Sequence, residues 1–332
     1  MRIALDAMGT DEAPSVEVVG AISALRTPGS DFEVILVGDS EVLEKELAQH
    51  SGFPSDRLSI VHASQQVTPG EQPSKVLRHK PDSSIVVGLG LHKAGEADAF
   101  ISAGSTGAVM AASIFILRPL EGVDRPAIGT VIPSATGPLL LLDAGANVDC
   151  KPQQLVQFAH LGKVYAQDLM GIADPRIGLL NIGAEAKKGD ELAVATHEAL
   201  MGRNLNFVGN IEGRGIVEGG CDVLVCDGFV GNVLLKFYES VASFIVGLLT
   251  NALGDAQANE DLEDVFRLMD YTETGGAPLL GVNGIPIICH GGSPPKAIEN
   301  AIHVADRAAK TSMVSHFVRE MKTPTTETGS AV

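Results

Sequence analysis

Seven short glycine-rich segments carry the residues best suited to chemistry. They are Asp6-Ala-Met-Gly9, Ser102-Ala-Gly-Ser-Thr-Gly107, Asp143-Ala-Gly-Ala-Asn147, Asn181-Ile-Gly183, Gly209-Asn-Ile-Glu-Gly-Arg214, Asp227-Gly-Phe-Val-Gly-Asn232 and His290-Gly-Gly-Ser293. Most follow an apolar run such as Ile3–Leu5, Ala99–Ile101 or Val223–Cys226, and most precede a helical pattern. In an α/β sheet, strand ends and helix starts meet on one edge, and ligands bind there. The N–H groups at those helix starts favour anions. One such loop is unremarkable, whereas seven point to one composite pocket for something anionic.

The individual segments differ in what they offer. In Ser102–Gly107, the hydroxyls of Ser102, Ser105 and Thr106 and the close approach allowed by Gly104 and Gly107 suit an oxyanion or phosphate cradle; a tight turn with a helix cap is the plainer reading. Asp143, Asn147, Asp149 and Lys151 follow a fully apolar strand, with Pro152 placed for a helix entry. Asn181 shares a rim with Lys187 and Lys188. Arg214 has the planar fork that suits phosphate, but a structural pair with Glu212 is an equal reading. Asp227 ends a strand, and Asn232 and Lys236 are four apart on one helix face. Lys236 interrupts the apolar run Val233–Phe237, so its amine is expected to reach the site or a carboxylate. His290 stands at a strand end, where a site role and a structural role weigh equally.

The elements that must position these loops alternate between strand and helix patterns, the mark of βαβ units. Strands are expected over 2–6, 33–38, 58–62, 98–102, 127–132, 139–143, 177–181, 205–208, 222–226 and 285–289. Helices are expected over 15–26, 40–49, 72–79, 83–94, 106–117, 152–169, 189–201, 230–253, 260–270 and 294–320. The chain is read as one α/β domain over 1–322, followed by a disordered tail over 323–332. Two consecutive helix patterns between 230 and 270 break the alternation and read as a projecting helical hairpin. Its first arm carries an apolar stripe that includes Phe244, Leu248 and Leu253. That stripe is expected to be covered by the body or a second subunit, with a membrane or acyl-chain contact as the added role.

Composition narrows the class. A net charge of −17 argues against nucleic acid, which needs a basic footprint. Cys150, Cys221, Cys226 and Cys289 form no CxxC pair and have no His at zinc spacing, so no metal is expected and reduced buried thiols are. The sequence enters a strand at Arg2, so no signal peptide is expected, and no uninterrupted apolar run reaches the length of a membrane span.

Taken in order, the segments resemble the PlsX family of phosphate acyltransferases. The matching stretches include Arg2-Ile-Ala-Leu-Asp-Ala-Met-Gly9, Ser102-Ala-Gly-Ser-Thr-Gly-Ala108, Leu142-Asp-Ala-Gly-Ala-Asn-Val-Asp-Cys-Lys-Pro152, Asn206-Phe-Val-Gly-Asn-Ile-Glu-Gly-Arg214, Cys226-Asp-Gly-Phe-Val-Gly-Asn-Val233 and His290-Gly291. The resemblance implies a three-layer α/β/α Rossmann-like sandwich of the phosphotransacetylase and isocitrate/isopropylmalate dehydrogenase type. It implies transfer of a fatty acyl group from acyl carrier protein to inorganic phosphate, without a cofactor, to give acyl phosphate for glycerol 3-phosphate acylation. A homodimer, cytoplasmic with peripheral membrane contact beside a membrane glycerol-3-phosphate acyltransferase, completes that picture. The chain departs from the family pattern at Thr10, Glu12 and Ser105, where the family has Gly, His and Asn.

Such a reaction needs no enzyme nucleophile, because phosphate can attack a thioester directly. Loop placement assigns Ser102, Gly104, Ser105, Thr106, Gly107 and Lys236 to phosphate, and Asn147, Asn181, Asn232 and His290 to the carbonyl. Asp6, Met8, Gly9, Asp143, Asp227 and Arg214 line the remaining pocket. Two other readings are a phosphotransacetylase acting on short acyl-CoA and a non-catalytic membrane scaffold. The apolar hairpin favours the long-chain enzyme over the short-chain one, and liposome binding without thioester consumption would mark the scaffold.

Overall fold

The structure is a computed structural model that describes residues 1–68, 70–253 and 275–322. It divides into two compact units, one built from 1–120 with the described part of 274–315, the other from the described parts of 121–273 and 316–332. The alternating sequence pattern alone does not reveal this division.

The first unit is a mixed sheet wrapped by helices. Strands β1 (Arg2–Asp6), β2 (Glu33–Gly38), β3 (Leu58–His62), β4 (Ala99–Ser102), β10 (Ala277–Leu280) and β11 (Pro286–Ile288) run in the order β3-β2-β1-β4-β11-β10. All are parallel except β10, which is antiparallel to β11. Central strands read as unbroken apolar runs because both faces are covered: Ile3, Ala4, Leu5, Phe100 and Ile101 are buried. Helices α1 (Ser15–Arg26) and α10 (Pro295–Lys310) pack on each other, while α4 (Ser84–Ala94) packs against β1 and β4 and also meets α5 (Thr106–Ile116). Right-handed crossovers require this: β1-α1-β2 moves one way along the sheet, and the return from β3 to β4 through α3 (Pro73–His79) and α4 must use the other face. Asp39 caps α2 (Ser40–Leu47) and Ser83 caps α4 through backbone N–H groups.

In the second unit, β5 (Ala127–Ser134), β6 (Gly137–Leu142), β7 (Ile177–Leu180), β8 (Phe207–Ile211) and β9 (Val223–Val225) run in the order β5-β6-β9-β7-β8. The hairpin β5-β6 is antiparallel and the rest are parallel. Helices α6 (Pro152–Leu169) and α7 (Glu191–Met201) pack together, and α6 lies on β6 and β9. The short α8 (Gly213–Glu218) precedes β9. The long α9 (Gly228–Leu253) follows it. His316 and Glu320, on α11 (Met313–Lys322), tie that helix to α6: His316 pairs with Asp168 at 3.0 Å, and Glu320 with His160 and Lys163 at 2.9 Å each.

Four features differ from the expectation. α8 occupies what reads as a turn, and β10 was not expected, being only four residues long and containing Pro278. β8 starts and ends later, at 207–211 rather than 205–208. The single C-terminal helix expected over 294–320 is two, broken at Ser312 with φ 55°. The second hairpin arm over 260–270, the side chain of Leu253 and the tail over 323–332 lie outside the described residues.

By length and composition, Gly228–Leu249 within α9 is long and apolar enough to cross a membrane, and almost none of it is buried. The expectation drawn from uninterrupted apolar runs passes over this segment. Lys236 and Glu239 interrupt the apolar sequence, yet they pair with each other at 2.9 Å on one helix face.

Candidate active site

Each unit places a buried aspartate at a strand end and gathers loops around it. In the first unit, Asp6 closes β1 and is 1% exposed. Its carboxylate accepts from the Ser102 hydroxyl at 2.6 Å and the Met8 N–H at 3.1 Å, and Ser84 supplies a further side-chain hydrogen bond. The Ser102 oxygen in turn accepts from the Gly104 N–H at 3.1 Å. Burial pushes the Asp6 carboxyl above its ordinary range, against these donors. Ser102 therefore serves as a relay between Asp6 and the loop that opens α5, and its hydroxyl proton is committed inward.

That loop meets the turn after β1 at close range. A Cβ on Gly9 would sit 2.7 Å from the Gly104 nitrogen and 2.9 Å from that of Ala103, so only glycine fits there. The same turn reaches the loop after β11: the Asp11 N–H donates to the Gly291 carbonyl at 2.9 Å. His290 is exposed, and its backbone N–H donates to the Ser293 hydroxyl at 3.1 Å. Met8 is half-buried, and its carbonyl accepts from Gln66 Nε2 at 2.6 Å. Thus Asp6, Met8, Gly9, Ser102, Gly104 and the His290 loop come together along one sheet edge. Ser105 precedes α5 without a side-chain hydrogen bond to its first turn, unlike the capped α2 and α4. Thr106 is exposed, and Gly107 lies against Pro73. No Ser105 side-chain hydrogen bond meets the opening N–H groups of α5, where the helix dipole favours an anion.

In the second unit, Asp143 follows β6 and is fully buried. It accepts from the N–H groups of Ile128, Gly145, Ala146 and Asn147, at 3.0, 3.2, 3.0 and 2.7 Å, and from Asn147 Nδ2 at 2.9 Å. Burial still raises its carboxyl above the ordinary range. Asn147 is buried, and Nδ2 also donates to the Pro126 carbonyl at 2.8 Å, so its amide protons are spent inside the loop. The start of α9 is pressed onto this node. The Gly228 N–H donates to the Asn147 carbonyl at 2.7 Å, and a Cβ on Gly231 would collide with the Asp143 carbonyl oxygen. Asp227 caps α9 through the Phe229 and Val230 N–H groups at 2.9 and 3.0 Å. Asn232 is exposed beside Gly145.

The remaining expected residues lie apart from that node. Lys236 is exposed and its amine goes to a carboxylate, Glu239, one of the two destinations expected for it. Arg214 pairs with Glu212 at 3.3 Å on the surface. Asn181 folds back on its own loop, with Nδ2 donating to the Lys188 carbonyl at 2.9 Å. Phe244 and Leu248 are exposed on α9, at 65% and 53%. Sequence reasoning missed Glu17, and it placed Asn210 in a candidate turn without foreseeing its burial. Glu17 is fully buried under the Gly9 turn, and Asn210 is buried against His197, with Oδ1 2.9 Å from Nδ1. A charged residue inside the apolar stretch Val16–Ala24 was the available signal for Glu17.

The four cysteines are unsuited to nucleophilic work. Burial raises Cys150 to about 11, Cys221 and Cys289 to about 12, and Cys226 well above the ordinary thiol value. The thiolate is the nucleophile, so these thiols are inert near neutral pH. Among the described residues, no group of three or more His, Cys, Asp or Glu is arranged to hold a metal ion.

A two-unit α/β protein with its glycine-rich loops gathered at strand ends is the class that this geometry defines. Its backbone is similar to a phosphotransacetylase from Streptococcus pyogenes, with TM-score 0.64, 19% identity and 94% of each chain covered. It is also similar to a branched-chain phosphotransacylase from Enterococcus faecalis, with TM-score 0.60, 12% identity, and 93% of this chain and 99% of that one covered. At these identities the likeness concerns the fold. The sequence comparison is more specific. The family model described as fatty acid synthesis protein matches residues 1–316, and the chain belongs to that family. Its curated relatives include the phosphate acyltransferase of Desulforamulus reducens, 50% identical with 95% of each chain covered. That of Heliobacterium modesticaldum is 47% identical, with 95% of this chain and 96% of the relative covered.

Proposed function

We propose that the protein transfers a long-chain fatty acyl group from acyl carrier protein to inorganic phosphate, giving acyl phosphate for phospholipid synthesis. The observation that carries this reading is the near-full-length relation to phosphate acyltransferases at 44–50% identity. The open start of α5, behind the Ser102–Gly107 loop, supports it as the place where phosphate is held.

In this mechanism phosphate binds at the first turn of α5, with Ser105 and Thr106 hydroxyls as added donors. One of its oxygens attacks the thioester carbonyl, the C–S bond breaks, and the carrier thiol leaves. A thiol pKa near 8.5 makes that departure feasible without a strong acid. The thiols of the four cysteines, held protonated, favour direct attack over a cysteinyl intermediate. Fixing both reactants supplies roughly 7–11 kcal/mol of the barrier reduction through proximity.

The same reading includes a homodimer and a transient, peripheral contact with the inner face of the cell membrane. The exposed apolar residues of α9, Phe237, Phe244 and Leu248 among them, support it. The test is a donor panel. Purified protein is mixed with phosphate and either long-chain acyl carrier protein thioesters or acetyl-CoA, and free thiol and acyl phosphate are followed. Turnover with the carrier thioesters is expected. Turnover confined to acetyl-CoA would overturn the substrate assignment.

A further inference from the structure

Glu17 is a fully buried charged residue that the proposed mechanism leaves unused. It sits in the first turn of α1, with no exposed surface, and its carboxylate is filled by one short segment. Oε1 accepts from the Gly9 N–H at 3.1 Å and the Thr10 N–H at 2.7 Å. Oε2 accepts from the Thr10 hydroxyl at 2.9 Å. Thr10 is itself buried, at 5% exposure.

A carboxylate is costly to bury, so this arrangement needs a use. The platform beneath it is stiff: α1 is seated on α10 so closely that a Cβ at Gly20 would lie 2.7 Å from Ile298 Cβ. What Glu17 grips from that platform is the turn that touches the α5 loop. Gly9 lies against the backbone nitrogens of Ala103 and Gly104, and Asp11 carries the turn on to Gly291. Displacing the turn would open space beside Gly104, whose N–H is already tied to Asp6 through Ser102.

We propose that Glu17 and Thr10 together are positioning residues for phosphate: their three hydrogen bonds clamp the Gly9 turn against the Gly104 loop and thereby fix the anion-binding start of α5. This assigns a task to Thr10, one of the positions at which the chain departs from the PlsX pattern. The inference rests on the reading that phosphate binds at that edge.

The test uses the full-length protein and steady-state kinetics, with phosphate and long-chain acyl carrier protein thioester varied separately. Thr10→Val keeps the volume and removes the hydroxyl. It is expected to raise the KM for phosphate roughly threefold to tenfold, the scale of one ordinary hydrogen bond lost. Glu17→Ala should raise it further, while the KM for the thioester stays within about twofold in both variants. Thr10→Ser and Glu17→Gln, which retain partners for the same groups, should restore phosphate KM. If Glu17→Ala does not fold, Thr10→Val against Thr10→Ser decides alone. A lowered melting temperature with unchanged phosphate KM would make the pair merely structural and overturn the proposal. Glu17→Gln as damaging as Glu17→Ala would also overturn it, by making charge rather than hydrogen-bond geometry the operative property. Absence of phosphate-dependent turnover in the unmodified protein would instead remove the functional reading beneath it.

Discussion

Asp6 and Asp143 are near twins by position and opposites in construction. Both end a strand that precedes a glycine-rich loop, both are buried, and burial raises both carboxyls. Asp143 is filled by five donors from its own loop and from Ile128. Asp6 depends on hydroxyls borne by other elements, Ser102 at the end of β4 and Ser84 at the start of α4, with one N–H from Met8. The first arrangement closes a loop on itself and consumes its donors. The second ties three elements together beside the start of α5, which has no Ser105 side-chain cap. The same residue type at the same place in a βα unit thus closes a loop in one unit and, in the function proposed, backs an anion edge in the other.

The largest expected effect tests the closed node. Asp143→Ala leaves five donors without their acceptor, and at about 1–3 kcal/mol for each buried orphan the loss should reach about 4 kcal/mol or more. Denaturant unfolding measures it. A loss below about 1 kcal/mol would mean that water or rearrangement replaces the carboxylate, and the node would not be the anchor described. Ser102→Ala tests the open node: about 1–3 kcal/mol of stability is expected to go, together with a raised KM for phosphate. Unchanged phosphate kinetics would dissolve the functional contrast between the two nodes.

Acid and base sharpen the comparison further. Burial raises Glu17, in the first unit, from 4.5 to about 7. A raised folded pKa means that its contribution is full below about pH 4.5 and is lost as pH rises through 7. Glu17→Gln should therefore gain about 3 kcal/mol on the unmodified protein between about pH 4 and about pH 8. Glu320, in the second unit, is held down to about 2, first by His160 and then by Lys163. Its contribution is present above about pH 4.5 and is lost as pH falls through 2. Glu320→Gln should cost about 1 kcal/mol at neutral pH and nothing at the acid end. Unfolding of the two variants across pH should show opposite slopes; parallel slopes would contradict the assigned causes.

The smallest effect belongs to Lys236. Its pair with Glu239 is on the surface, so Lys236→Ala should change stability by less than about 1 kcal/mol. A larger loss would mean that the amine reaches beyond that pair.

Much of this was legible in the sequence. The strand-then-glycine pattern located both nodes, because apolar runs and glycine-rich turns are local signals. Ser102 and Gly104 declared themselves by type and spacing. What stayed hidden depends on long-range contact. Nothing near Glu17 says that Thr10 and Gly9 fold back onto it, and nothing near Ser102 says that its proton goes to Asp6, 96 residues away. β10 escaped notice because four residues with a proline carry almost no period, and α8 because Gly213 and Gly215 read as turn residues. Asn147 looked like a ligand-facing amide and is instead spent on Pro126 and Asp143, which only the folded loop reveals.

The central claim is that bound phosphate itself attacks the thioester. Rapid mixing of the protein with a long-chain acyl carrier protein thioester, with and without phosphate, tests it most directly. The account predicts no burst of free thiol without phosphate, and thiol and acyl phosphate appearing in equal amounts with it. A phosphate-independent burst of one thiol per protein chain would reveal an acylated enzyme and contradict the mechanism.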